Sequence, residues 1–116
     1  MINVLLVEDH ELYRMGLSML LEKSEDINLV AEAADGVIGV KKAREFSPDV
    51  ILMDIGMPNM DGIEATQRIK DFLPNTKILI LSHSVTSSFI FILIISVKSD
   101  MECTTRVAYI SSSSEL

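Results

Sequence analysis

An α/β fold built on a parallel sheet covered on both faces is what this sequence predicts, and three observations predict it. Short runs of branched apolar residues recur along the first eighty positions, and amphipathic segments of helical period separate them. The apolar runs are hydrophobic at nearly every position rather than at alternate ones, as in strands buried on both faces. Each run ends in a polar residue or a turn, and three of the ends carry carboxylates or a hydroxyl.

"INVLLV" (2–7) is the first predicted strand, and Glu8 and Asp9 end it. From Glu11 to Lys23, Leu12, Met15 and Met19 recur at helical spacing, and Leu17, Leu20 and Leu21 widen the apolar face. "INLVAEA" (27–33) returns to strand character and is punctuated by the Asp35-Gly36 turn. Val37, Val40 and Ala43 line one side of a second helix, opposite Lys41, Lys42, Arg44 and Glu45, and Pro48 stops it. "DVILMD" (49–54) is the third strand and ends in Asp54. Ala65, Ile69 and Phe72 mark a third helix over 61–72, halted before Pro74. "KILIL" (77–81) is the fourth strand, with Ser82 at its end.

The remainder, 83–116, changes composition: it is rich in Ser and Thr, has no glycine, and has Lys98 as its only lysine. "FIFILIISV" (89–97) suits a strand or a buried helical segment, and periodicity does not decide between them. Either form would cover the edge that a sheet ending at its fourth strand exposes, so burial of 89–97 is expected, with a frayed Ser-rich end. An apolar edge left unpaired would favour a homodimer. One domain is expected, with 1–82 as its core and 83–116 as an atypical remainder, and no output domain present.

Composition excludes several functions. The 116 residues suffice for a single core, and 48% are hydrophobic with no Trp. A formal net charge of −7 disfavours direct grip on a nucleic-acid backbone and suits a cation or a basic partner. Cys103 stands alone, so no internal disulfide forms, and a reducing cytoplasm is the expected compartment. No basic start precedes a cleavage site, and the longest apolar run falls far short of the roughly 20 residues that span a bilayer.

In a parallel sheet of this kind ligands sit beyond the carboxyl ends of the strands, where the strand order reverses. Glu8, Asp9, Asp54 and Ser82 all fall there. Three carboxylates on neighbouring strand tips repel one another unless a divalent cation neutralises them. Magnesium takes one or two carboxylates and fills its octahedron with water and substrate oxygens. A carboxylate beside it can attack a phosphoryl group, because the metal screens the approach of two anions. An acid at a strand end is usually only a solvated loop residue. The joint arrangement of paired acids, Asp54 followed by Met57-Pro58, and a hydroxyl after strand four favours the functional reading. His10 follows the acids and can touch the site, although a loop histidine is more often simply exposed. His83 has no partner evident in sequence, and the two histidines lack zinc spacing. Met15, Met19, Met53, Met57 and Met60 read as core or loop packing.

"VLLVEDH" (4–10), "PDVILMDIGMPNMDG" (48–62) and "KILILS" (77–82) resemble the receiver domain of two-component response regulators. The run from Val7 to Gly36 is similar to the NarL/FixJ type. The resemblance implies a flavodoxin-like doubly wound sheet and a phosphorelay function, with Asp54 as phosphoacceptor. It implies that Glu8, Asp9 and Asp54 bind Mg2+ with the backbone carbonyl of Gly56, and that Ser82 is the switch hydroxyl. The implied partner is a sensor histidine kinase. The implied output is regulation of a partner, or of DNA through an output domain outside this chain. Such a module is not an enzyme, beyond carrying its own phosphorylation and dephosphorylation chemistry.

The tail departs from the family pattern. "VAYISSSSEL" (107–116) echoes the aromatic-containing strand, placing Tyr109 at the switch aromatic and Ser112 where the phosphate-facing lysine belongs. Lys98 is the other lysine candidate, but it lies closer to Ser82 than the family spacing allows. Two rival functions remain. One is an interaction module uncoupled from phosphorylation. The other is a haloacid-dehalogenase-like phosphatase, which needs a second Asp two residues after the nucleophile, where this chain has Gly56.

Overall fold

The structure is a computed structural model. It describes the backbone of residues 1–83, 89–97 and 103–111, and the side chains of 1–81. The predicted alternation is present: β1 (Ile2–Val7), α1 (Glu11–Glu22), β2 (Ile27–Ala33), α2 (Gly36–Phe46), β3 (Val50–Asp54), α3 (Gly62–Phe72) and β4 (Lys77–His83). Two further strands follow, β5 (Phe89–Val97) and β6 (Cys103–Ser111). The sheet order is β2-β1-β3-β4-β5-β6. β1 to β4 run parallel, whereas β5 and β6 are antiparallel to their neighbours. "FIFILIISV" is therefore a strand. Lys98, Ser112 and the end of the chain beyond Ser111 lie outside the described residues, as does the burial expected of 89–97.

The core is aliphatic and centred on β1, β3 and β4. Leu5, Val7, Ile51, Met53, Ile78 and Ile80 are fully buried and meet Ala43, Ala65 and Ile69 from the helices. Small residues let α2 approach the sheet closely. A Cβ on Gly39 would lie 2.9 Å from Val7 Cγ1, so the helix could not hold this distance with a larger residue there. Local signals fix the helix ends. Asp35 Oδ1 accepts from Ile38 N at 2.8 Å to cap α2, and Asp61 Oδ1 accepts from Glu64 N at 2.8 Å to cap α3. Ser47, in the left-handed region at φ 44°, terminates α2 just ahead of Pro48.

The orientation of α1 corrects the sequence reading. Leu12, Met15 and Met19 are exposed, Met19 at 62%, and α1 buries no residue completely. The half-buried face is instead Arg14, Leu17, Ser18 and Leu21, turned toward β1 and β2. A 12-residue helix with two apolar arcs can seat either one on the sheet. Here Arg14, which donates from Nη1 to the Glu8 carbonyl at 2.8 Å, selects the second. Met53, Met57 and Met60 pack in the core or beside it as expected, and Val37 is half exposed.

Candidate phosphoacceptor and metal site

Strand register brings the acids together. β1 and β3 are hydrogen-bonded neighbours with Val7 opposite Met53, so the residues that follow, Glu8 and Asp54, emerge side by side at the same end. The strand order reverses between β2-β1 and β3-β4, which makes this tip the crevice of the fold. Glu8 is fully buried, Asp54 is 2% exposed, and Asp9 stands nearer the surface. One ligand atom from each of Glu8, Asp9, His10 and Asp54 can be chosen so that all four lie within 4.8 Å of one another.

The two acids that follow β1 are shifted in opposite directions. Burial pushes Glu8 above its ordinary range, partly opposed by its hydrogen bond with Asp54. Burial also acts upward on Asp9. Hydrogen bonds with Asp54 and Glu8, together with the charge of His10, outweigh it and leave Asp9 below the usual range. Burial thus favours the neutral form at Glu8, on the dry floor, while Asp9 nearer the surface is biased toward its charged form.

The loop after β3 is tightly held. Gly56 N donates to Asp54 Oδ1 at 3.4 Å, Ile55 N to the Leu81 carbonyl at 3.1 Å, and Gly62 N to the Ile55 carbonyl at 2.9 Å. A side chain on Gly62 would collide with the Asp54 carbonyl and approach Ile55 Cα to 2.9 Å, so glycine is required where α3 begins against the strand tip. Asn59 adopts φ 69° and donates from Nδ2 to Asp35 Oδ2 at 3.2 Å, tying the loop to the start of α2. Sequence reasoning took Asp35 only as a turn residue and passed over Arg14. An Asp three residues before Ile38 is the cap signal for the first, and Arg14 stands one turn after His10.

The other expected site residues are placed as follows. Ser82 lies in β4 one residue beyond Leu81, whose register partner is Asp54. Gly56 is two residues past Asp54, with open space where a Cβ would be. Tyr109 lies in β6, opposite Phe91 of β5, which in turn pairs with Ser82. It is therefore two strands from β4, about 9–10 Å by ordinary strand spacing. His10 is 59% exposed and also touches the cluster, with Nδ1 3.3 Å from Asp9 Oδ1 and 4.0 Å from Glu8 Oε2.

A parallel sheet with buried acids at its switch point is the ligand-binding arrangement of a doubly wound α/β domain, and comparison with known families identifies which one. The chain belongs to the response regulator receiver domain family, whose model matches residues 4–101. It is 50% identical over 91 residues to the transcriptional regulatory protein LiaR of Bacillus subtilis, covering 78% of this chain and 43% of that protein. The chain thus spans less than half the length of that relative. Among solved structures it is similar to the response regulator domain of Thermotoga maritima CheB, with TM-score 0.67 and 43% identity over 70% of this chain and 60% of that one. It is also similar to the receiver domain of the putative response regulator NarL from Mycobacterium tuberculosis, with TM-score 0.68 and 32% identity over 73% of this chain and 69% of that one. Among the described residues no helix is long and apolar enough to cross a membrane.

Proposed function

We propose that this chain accepts a phosphoryl group on Asp54, in the presence of Mg2+, from a sensor histidine kinase. One observation carries the reading: the buried Asp54 carboxylate shares a strand-tip crevice with Glu8 and Asp9, in a chain of the receiver family. The donor set is hard oxygen, which fits magnesium. Asp9 and Asp54 would hold the ion with the Gly56 carbonyl, and Glu8 would act through bridging water. Bound there, magnesium supplies charge neutralisation for the transferring phosphoryl oxygens.

The transfer is a displacement at phosphorus. An Asp54 carboxylate oxygen forms the new P–O bond as the bond to the donor's leaving group breaks, leaving a mixed anhydride on Asp54. The loop bonds at Gly56, Ile55 and Gly62 hold the nucleophile in place. Ser82, next after the register partner of Asp54, supplies a hydroxyl to one phosphoryl oxygen. By likeness to LiaR, the modified domain would regulate transcription through parts of the protein beyond this chain.

A second reading concerns output. The strand beside β4 is antiparallel and Tyr109 lies one strand further out, which favours a receiver whose phosphorylation is weakly coupled to an aromatic switch. Intact-mass analysis after incubation with acetyl phosphate tests the primary reading. One phosphoryl adduct is expected with magnesium, and none in EDTA or in Asp54→Asn. An undiminished adduct in Asp54→Asn would refute the assignment.

A further inference from the structure

His10 is absorbed by none of the roles above, yet it stands in the cluster. We propose that His10 Nδ1 is a fourth donor at this site, so that transition-metal ions accepting nitrogen are held by four side chains while magnesium is held by oxygens alone. The inference rests on the metal-binding reading of Glu8, Asp9 and Asp54.

Geometry supports it first. Donors about 2.1 Å from an octahedral ion stand about 3.0 Å apart when adjacent and about 4.2 Å apart when opposite. Nδ1 lies 3.3 Å from Asp9 Oδ1 and 4.0 Å from Glu8 Oε2, close to those two spacings. All four donors lie within 4.8 Å of one another, and the exposed imidazole can turn toward an ion at their centre without a backbone movement. The backbone beneath the ring is fixed, since Arg14 N donates to the His10 carbonyl at 2.9 Å and Arg14 Nη1 to the Glu8 carbonyl at 2.8 Å. Tyr13 packs edge-on against the ring at 5.7 Å and limits where it can turn.

Donor chemistry then separates the ions. Magnesium prefers hard oxygen and gains little from imidazole, whereas affinity for mixed nitrogen and oxygen sites rises from manganese through cobalt and nickel to copper. A site with three carboxylates and one imidazole therefore binds cobalt(II) more tightly than magnesium, and the margin depends on His10.

The test is calorimetric titration of tag-free protein with Mg2+ and with Co2+, accompanied by the visible absorption of the cobalt form. The variants are His10→Gln, Asp9→Ala and Asp54→Asn. His10→Gln is expected to weaken cobalt binding at least tenfold, to shift the cobalt spectrum and to leave magnesium affinity within twofold. Asp9→Ala and Asp54→Asn should weaken both ions. Equal losses of both ions in His10→Gln would show that the histidine only positions Asp9, and would overturn the proposal. So would cobalt binding that His10→Gln leaves unchanged, or that survives Asp9→Ala and Asp54→Asn intact. Wild-type protein that binds neither ion would instead refute the underlying metal-site reading.

Discussion

Glu8→Gln should make the metal-free protein more stable at neutral pH. Glu8 is fully buried within 4.8 Å of two other acids. At that separation each fully charged pair repels by roughly 3 kcal/mol if the effective dielectric constant is about 20. Proton uptake by Glu8 relieves part of this, so the gain expected from the isosteric amide is about 1–3 kcal/mol. The sequence alone shows three mutually repelling carboxylates at neighbouring strand tips without showing which of them bears the penalty. The structure places the penalty on Glu8, because Asp9 is held below its ordinary range and so favours the folded state when charged.

The pH dependence follows from the direction of the shift. Glu8 is raised in the folded protein, so its contribution to stability is full below its unfolded value, 4.5, and is lost as pH climbs through the raised folded value. The difference between Glu8→Gln and wild type should therefore be near zero at pH 4 and should grow toward pH 7.5. Urea denaturation in EDTA at a series of pH values measures it. A gain independent of pH, or a loss of stability at pH 7.5, would refute the reasoning. Magnesium should narrow the gap by stabilising wild type, since an ion that binds only the folded state adds stability by mass action.

Gly62→Ala should destabilise by about 1–3 kcal/mol, since overpacking against backbone outweighs the modest helix-propensity gain; calorimetric titration should also show weaker magnesium binding, because the clash displaces the Asp54 carbonyl. Asp35→Ala removes the α2 cap and the tie to Asn59, and thermal melts should record a loss of about 1–2 kcal/mol. Ile69→Ala opens the core between α3 and the sheet, and should cost about 2–5 kcal/mol in urea denaturation.

The first four strands were legible because short, mostly apolar runs closed by turns or polar residues alternate with amphipathic helical segments, and β1 and β2 begin and end at the residues expected. The acid site was legible for the same reason. A polar residue closing such a run must lie at a strand tip, and parallel pairing puts neighbouring tips together. The facing of α1 was not legible, since Leu12-Met15-Met19 and Leu17-Leu21 are both regular apolar arcs and only packing chooses between them. Nor was the form of 89–97, where a run apolar on all sides carries no period to read. The opposite shifts of Glu8 and Asp9 depend on which acid is drier, and that depth appears only once β1 is set between β2 and β3.

Borohydride trapping tests the central claim most directly. An acyl phosphate on an aspartate is a mixed anhydride, and borohydride reduces that residue to homoserine, which leaves a permanent mark in the sequence. The protein is incubated with acetyl phosphate and magnesium, reduced, digested and read by tandem mass spectrometry. Conversion confined to Asp54 and abolished by EDTA is the predicted result. Conversion at Asp9, Asp35 or another acid, with Asp54 untouched, would contradict the account.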